Sequence, residues 1–280
     1  HYNAMLSYME TNNMSLPEHY NYIKTQMDVD NFADYNIAQI FAVNTDWPGN
    51  NIDFWRLRTE EYIPNAPLGQ DGRWRWMMFD TDFGFGLYGG SYTHNTLVFA
   101  TEPNGPDWPN PPWSTFLLRK LLTNQEFKIN FINRFADLLN TTYIPARMVE
   151  IINNIKQAIA PEMPAHIHRW KAPSSMTAWN NNVNVMITFA NQRPTYQRTH
   201  IRQFFGISSN INVTLDVDNN ERGYVRINSI KITPETHGVP EQPYPWTGIY
   251  FNNIPIELEA IAKPGFEFSH WEGAASGNET

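Results

Sequence analysis

The sequence predicts an α+β protein with two parts, a mainly helical part over residues 1–206 that carries one β-hairpin and a small all-β domain over residues 207–280. In several segments before Gly206, apolar residues recur at steps of three and four, which is the period of half-buried helices. Two extended apolar segments joined by a turn-rich stretch predict the hairpin. Beyond Gly206 the pattern changes to alternation, which is typical of strands.

Composition limits the classes of protein to consider. The 280 residues are 41% hydrophobic and 14% aromatic, which is enough to build a core. A net charge of -8 argues against a nucleic-acid binder, because phosphate neutralisation needs a concentrated basic surface, but it is compatible with a basic peptide partner. The lack of cysteine excludes disulfides and thiolate chemistry. No apolar run approaches a membrane span of roughly 18 residues, and no signal peptide opens the chain.

Helices are predicted in six segments. The first runs from Asp28 to Asn44, with Asp28 or Asp30 as its N-cap. The later helices are expected over Ser114–Leu122, over Thr123–Leu139, from near Pro145, over Met176–Asn191 and over Pro194–Phe205. Thr123 and Glu126 have the spacing of a capping box. In the helix near Pro145, five apolar residues are expected to face inward: Met148, Ile151, Ile152, Ile155 and Ile159.

Strands are predicted in both parts. Asn51–Arg58 and Arg73–Phe79 form the expected hairpin, and the Pro- and Gly-rich stretch Tyr88–Trp113 predicts a long ordered surface loop. In the C-terminal part, the alternation predicts a strand from Ile211 to Val217 and a returning strand at Val225 and Ile227 after a turn at Asn219 and Asn220. A third alternating segment runs from Ile254 to Ala260, before a turn at Lys263–Gly265.

Three polar side chains carry the candidate chemistry. Asp46 and Asn51 have the Asp-x-x-x-x-Asn spacing of a kinase catalytic loop, which lets the Asp point at an attacking hydroxyl while the Asn turns back to a magnesium ion. Asp80 follows the apolar strand that ends at Phe79, and the hairpin would return it to the side of that loop. Magnesium takes one or two carboxylates with phosphate oxygens, so Asp80 would complete the site.

Residues 20–205 resemble the CotH kinase family of bacterial spore-coat and surface proteins. The resemblance rests on the Asn-x-Asp-Trp loop at Asn44–Trp47 and on the Asp-x-Asp-x-x-x-Gly element formed by Asp80, Asp82 and Gly86. It implies a protein-kinase-like C-terminal lobe, ATP with Mg²⁺ or Mn²⁺, and phosphorylation of serine-rich, basic proteins. By motif position, Asp46 would be the catalytic aspartate, Asn51 and Asp80 metal ligands, and Asp82 a ligand of a second metal.

One departure from the kinase pattern concerns the nucleotide-covering lobe. A kinase needs a phosphate-covering loop and a strand lysine paired with a glutamate, and these precede the catalytic loop. Only 45 residues precede Asp46, and Lys24 is the sole lysine among them. We therefore expect that the N-terminal lobe is missing and that the chain alone transfers phosphate inefficiently. Because the first residue is His1 and not a methionine, we also expect that both ends are cut from a longer protein.

The β part has a likeness of its own. The segments Thr247–Phe251 and Lys263–Gly273 are similar to bacterial extracellular repeats related to internalin B-type repeats. Such repeats occur on secreted or surface-anchored proteins, so the resemblance implies an extracellular or cell-surface location, with a surface ligand as a further partner.

Simpler interpretations stand beside these. The Asp80–Gly84 segment is also compatible with a calcium-binding or turn-forming acidic loop, and Asp46 with a turn residue. His166 and His168 have no evident third ligand, so a solvated connector is the better interpretation than a metal site. Trp108 and Trp113 are candidates for substrate contact. The alternative function is a non-catalytic surface adhesin or pseudokinase scaffold.

Overall fold

The structure is a computed structural model that describes residues 1–87, 91–106 and 108–274. Within these residues, helices and small antiparallel sheets alternate, which confirms the mixed α and β composition. The helices are α1 (Tyr2–Thr11), α2 (Pro17–Gln26), α3 (Val29–Ala42), α4 (Thr96–Phe99), α5 (Pro112–Leu121), α6 (Gln125–Asn140), α7 (Pro145–Ile159), α8 (Met163–Trp170) and α9 (Met176–Phe205). The strands are β1 (Asp53–Trp55), β2 (Arg75–Met77), β3 (Asn210–Leu215), β4 (Gly223–Ile227), β5 (Ile230–Lys231), β6 (Trp246–Phe251) and β7 (Leu258–Ala262).

Helix α3 is largely buried and leads directly into the loop that carries Asp46. Its N-cap is Asp28, whose side chain accepts from the Asn31 N–H at 3.1 Å, as the sequence predicts. The helix ends at Val43, which adopts the left-handed conformation (φ 58°). The Asn44 N–H donates to the Gln39 carbonyl at 3.2 Å and the Val43 N–H to the Ile40 carbonyl at 3.3 Å, a Schellman pattern that turns the chain into the next loop.

The predicted hairpin is present in a shorter form. β1 and β2 pair antiparallel, with Asp53 opposite Met77 and Trp55 opposite Arg75. A buried ion network fixes the hairpin to the start of α3, because Arg75 forms ion pairs with Asp28 at 2.9 Å and with Asp71 at 2.7 Å. The hairpin therefore lies alongside α3, as its role at the candidate site requires.

Several predicted helix details are wrong. Asn124, not Thr123, caps α6, since its side chain accepts from the Phe127 N–H. The inward face of α7 is narrower than expected: Met148 and Ile152 are buried, but three other apolar residues are exposed. Those three are Ile151, Ile155 and Ile159.

Two predicted boundaries are also wrong. Met176 to Phe205 is one helix, and Pro194 lies buried inside it, although a proline removes one hydrogen bond of the helix. The predicted end at Gly206 (φ 68°) is confirmed. His166 and His168 lie in the short helix α8 and not in a connector.

The strand pairing of the C-terminal part differs from the predicted hairpin. β3 pairs with β6, from Asn210 opposite Phe251 to Leu215 opposite Trp246, and β4 lies between β5 and β7. The six-residue match of β3 with β6 places the apolar side chains of Trp246 and Tyr250 in the core, which a local hairpin with β4 would not do.

The strands pack against helix α6. Asp137 is fully buried and accepts hydrogen bonds from the Ser229 N–H at 3.0 Å and from the Tyr250 hydroxyl at 2.8 Å. Burial raises the pKa of Asp137 despite these donors. The hydrophobic cluster that includes Phe131 and Phe135 of α6 continues into the strands at Tyr250.

Candidate active site

The loop after α3 brings Asp46 and Asn51 together. Asp46 is buried, and its two carboxylate oxygens accept from the side-chain amides of Asn50, at 3.0 Å, and Asn51, at 2.7 Å. Asn51 adopts a left-handed backbone conformation (φ 51°), which asparagine tolerates better than most residues. Asp46 and Asn51, which have the predicted spacing, are therefore joined directly by a side-chain hydrogen bond.

Buried contacts hold this loop in place. Trp47 is buried and meets the Tyr35 ring edge-on, with 6.1 Å between ring centroids. The Gly49 N–H donates to the Pro109 carbonyl. A Cβ at position 49 would lie 2.5 Å from that oxygen, so only glycine fits where the two loops cross.

The second acidic loop starts at Asp80. Asp80 is exposed, has a positive φ of 45° and lies beside Asp82. A hydrogen bond with Asp82 raises the pKa of Asp80, and some desolvation and the negative charges of Asp82 and Asp46 add to the rise. The carboxylate of Asp80 therefore lies within electrostatic reach of both other aspartates.

Both loops are tied to the same end of α3. The Phe85 N–H donates to the Ala42 carbonyl at 2.8 Å, and a Cβ on Gly84 would lie 3.0 Å from that same oxygen. The ring of Phe85 packs on Phe189 of α9 with 4.7 Å between centroids. This attachment brings residues more than 30 positions apart in the sequence to the same end of α3.

The donor set fits a hard divalent cation. The Asn51 amide nitrogen donates to Asp46, which leaves its Oδ1 free to bind a metal, and the carboxylates of Asp80 and Asp82 are exposed. Among the residues that the structure describes, no group of three or more His, Cys, Asp or Glu side chains is placed to hold a metal ion. An ion here would rely on the Asp80 or Asp82 carboxylate, on the amide oxygen of Asn51 and on ligands from water or phosphate, which is usual for magnesium.

The family comparison covers the part of the chain that contains both loops. A family model described as CotH kinase protein matches residues 1–197, which include both loops. The chain belongs to the CotH kinase protein family. Neither the curated proteins nor the solved structures contain a match to the chain.

Membership of the CotH kinase family connects the chain with ATP-dependent phosphotransfer in general terms. The match ends before β3, so the likeness of the C-terminal strands to extracellular repeats stays a prediction. In residues 1–87, 91–106 and 108–274, no helix is long and apolar enough to cross a membrane.

Sequence reasoning named Asn44 only as part of the loop motif, and it missed the supporting roles of Asn44, Gln39 and Arg193. Asn44 and Gln39 are fully buried behind Asp46, and Arg193 of α9 is fully buried behind α3. Arg193 donates to the carbonyls of Ile40, at 2.7 Å, and Phe41, at 3.0 Å. The spacing of Asn44 to Asp46 is that of an Asx turn and could have been recognised. No local sequence pattern indicates that Arg193 contacts the Ile40 carbonyl, because the two residues are more than 150 positions apart.

The remaining sequence candidates, Trp108 and Trp113, are exposed. Trp108 is 57% exposed and Trp113 is 65% exposed, and they flank the segment whose Pro109 contacts Gly49. A cleft of about 780 Å³ lies between α3, α6 and the strands, and its lining includes none of the four candidate site residues. A smaller cleft of about 360 Å³ opens beside Gly86. The larger cavity is therefore separate from the candidate chemistry.

Proposed function

We propose that this chain carries the catalytic loop and metal-binding side chains of a protein kinase that moves the γ-phosphoryl group of ATP to a serine or threonine hydroxyl. The observation that carries the proposal is the hydrogen bond from Asn51 to Asp46 at 2.7 Å. Asp80 lies close enough for the negative charge of Asp46 to contribute to its raised pKa. This is the arrangement that phosphoryl transfer needs, since catalysis there is mostly positioning and electrostatic stabilisation.

Each residue has a defined role in the proposal. Asp46 orients the attacking hydroxyl and accepts its proton, and the amides of Asn50 and Asn51 fix the direction of the carboxylate. Asn51 and Asp80 hold a Mg²⁺ or Mn²⁺ ion, which when bound neutralises charge on the phosphates. Asp82 is the candidate for a second metal ligand.

Either Asp80 or Asp82 can be assigned as the principal metal ligand. Asp82, Phe83 and Gly84 have the order of the Asp-Phe-Gly tripeptide whose aspartate binds magnesium in protein kinases. Asp80 carries the positive φ and the raised pKa. The two variants Asp80→Asn and Asp82→Asn therefore belong in every test of metal binding.

The substrate is proposed to be a basic, serine-rich protein. The net charge of -8 favours a cationic partner. Lys24, the sole lysine before Asp46, is held by Glu126 of α6 at 3.0 Å, so it is not placed to pair with phosphates.

The test is metal-dependent ATP binding by the chain, followed by phosphate transfer by the full-length protein. Asp80→Asn is expected to weaken Mg²⁺-dependent binding at least tenfold, and Asp46→Asn to keep binding but lower the transfer rate about 10²-fold or more. Asp218→Asn, at an exposed aspartate of the C-terminal part, is the matched control. Equal binding and equal transfer in all variants would remove the proposal.

A non-catalytic surface adhesin or pseudokinase scaffold is the second candidate function. The exposed rings of Trp108 and Trp113 favour it, because large exposed aromatic side chains are common in binding surfaces. Location at a bacterial cell surface is part of this proposal and of the first. A full-length protein that binds its partner through these tryptophans, and shows no transfer with ATP and Mg²⁺, would favour the scaffold.

A further inference from the structure

A chain of buried polar side chains lies directly behind the catalytic loop. Gln39 is on α3 and Asn44 follows the end of that helix, and both are 0% exposed. The Asn44 Nδ2 donates to Gln39 Oε1 at 2.9 Å. Two buried amides are costly unless their hydrogen bonds are made, so this contact constrains both side chains.

The other end of the Asn44 amide reaches Asp46. Asn44 Oδ1 accepts from the Asp46 backbone N–H at 3.1 Å, which forms an Asx turn. The backbone of Asn44 is also tied to Gln39, whose carbonyl accepts its N–H at 3.2 Å. The position of the Asp46 backbone is therefore fixed by α3 through one asparagine.

The network continues to the packing around Trp47. Burial raises the pKa of Tyr35 to about 12, and the neighbouring Gln39 and Trp47 side chains oppose the rise. Gln39 Nε2 and the Tyr35 hydroxyl are both buried without a hydrogen bond of good geometry, so their mutual contact is a loose one. The strong bonds of the network are those that run from Gln39 through Asn44 to Asp46.

We propose that Asn44 and Gln39 are positioning residues that hold the Asp46 backbone, and so its carboxylate, in the geometry needed for proton acceptance. The inference rests on the proposed function for its catalytic consequence, but the structural part stands on the hydrogen bonds alone. Within the part of the chain that the structure describes, the side-chain hydrogen bonds of Asn44 and Gln39 do not reach Asn51, Asp80 or Asp82, so each acts through Asp46 and not on nucleotide binding.

The experiment uses the full-length protein with four single variants and one double variant. Asn44→Ala removes both bonds, Asn44→Ser keeps an oxygen for the Asp46 N–H, and Gln39→Met removes the support of Asn44 at nearly constant volume. Asn36→Ala is the control, because Asn36 is also a buried asparagine but lies on α3 and donates to the Phe32 carbonyl of that helix, at 2.8 Å.

Kinetics separate positioning from binding. Asn44→Ala is expected to lower kcat about 10- to 100-fold with KM for ATP changed less than about twofold, since small displacements of a catalytic group cost up to about 10² in rate. Asn44→Ser should recover part of that loss. The double variant of Asn44→Ala with Gln39→Met should lose no more kcat than Asn44→Ala, because both changes break one chain of contacts.

A second measurement does not depend on activity. Hydrogen exchange of the Asp46 amide, followed by NMR, is expected to be at least about tenfold faster in Asn44→Ala than in the wild type and in Asn36→Ala. Unchanged exchange in Asn44→Ala would overturn the positioning role. An equal loss of kcat in Asn36→Ala would also overturn it, since the effect would then be one of general stability. If the wild type shows no transfer, the kinase proposal fails while the exchange result still decides whether Asn44 holds the loop.

Discussion

Asn51 donates its side-chain amide to Asp46 Oδ2 at 2.7 Å, so the two ends of a six-residue segment are joined by one short charge-assisted hydrogen bond. Asn50 donates to the other carboxylate oxygen at 3.0 Å. These two bonds are chemically alike but differ in consequence, because only Asn51 is also a candidate metal ligand. The pair of asparagines therefore allows a comparison of carboxylate support with metal binding.

Asn51→Ala is expected to lower metal-dependent phosphate transfer about 10²- to 10³-fold, because it removes both a donor to Asp46 and a metal ligand. Asn50→Ala should lose about tenfold or less, since only a donor is removed and position 50 is exposed. The transfer rate is measured at saturating ATP and at several Mg²⁺ concentrations. Equal losses in the two variants would contradict the metal role of Asn51.

The carboxyl of Asp80 is expected to titrate abnormally. Its pKa is raised chiefly by the hydrogen bond with Asp82, and the charge of Asp46 makes the smallest contribution. Asp82→Asn should therefore lower the pKa of Asp80 toward its ordinary value, and Asp46→Asn should lower it less. Titration of the side-chain carboxyl by NMR, without metal, measures both. A pKa that is unchanged in Asp82→Asn would show that the two acids do not share a site.

Local sequence patterns predicted α3 and the hairpin correctly because their burial is periodic and their caps are encoded by neighbouring residues. Asp28 at the start of α3 is such a cap. The pairing of β3 with β6 was missed because its partners are more than 30 residues apart and a nearer strand was available. The unbroken α9 was missed because tertiary packing around Pro194 decides the outcome.

The same distinction holds for the candidate site. The contact of Asp46 with Asn51 could be predicted from their spacing because it is local. The adjacent hairpin led to the prediction that Asp80 lies beside them. Arg193 was not readable, since it reaches α3 from the far end of the matched region. Residues that bear chemistry lie within short motifs here, whereas the residues that hold those motifs come from distant segments.

Arg193 is expected to be a large contributor to stability. It donates to four backbone carbonyls and to Gln197 Oε1, and burial lowers its pKa to about 9, so it is still charged at pH 7. Two of those carbonyls belong to Ile40 and Phe41, in the last turn of α3, where a positive charge interacts favourably with the helix dipole. Arg193→Met would leave the carbonyls buried and unpaired and should lower the free energy of unfolding by at least about 3 kcal/mol.

The control for that variant is Arg202→Met on the same helix, where a half-buried arginine donates to the Ser208 carbonyl. It should cost less than about 1 kcal/mol, since an exposed acceptor can bind water instead. Urea unfolding followed by circular dichroism compares the two. Similar losses would mean that the carbonyl cluster is not held by Arg193.

Acid is expected to weaken the attachment of the hairpin to α3. Hydrogen bonds from Arg75, assisted by Arg73, hold the pKa of Asp71 well below its ordinary value of 3.8, although burial opposes the shift. A carboxyl with a depressed folded-state pKa adds stability that is fully present above the unfolded pKa and is lost as pH falls through the folded pKa. The contribution of Asp71 should therefore be constant from pH 7 to about pH 5 and shrink below about pH 4.

Asp71→Asn tests this dependence directly. At pH 7 the variant should unfold with a free energy about 3 kcal/mol lower than the wild type, because Arg75 loses the carboxylate that is closer to it than Asp28 is. The difference should narrow as pH falls from 4 to 2, because the Asp71 carboxyl of the unfolded wild type takes up a proton there before that of the folded protein does. Urea midpoints at pH 7, 5, 3 and 2 measure it. A difference that stays constant over this range would mean that Asp71 stabilises the hairpin by its shape and not by its charge.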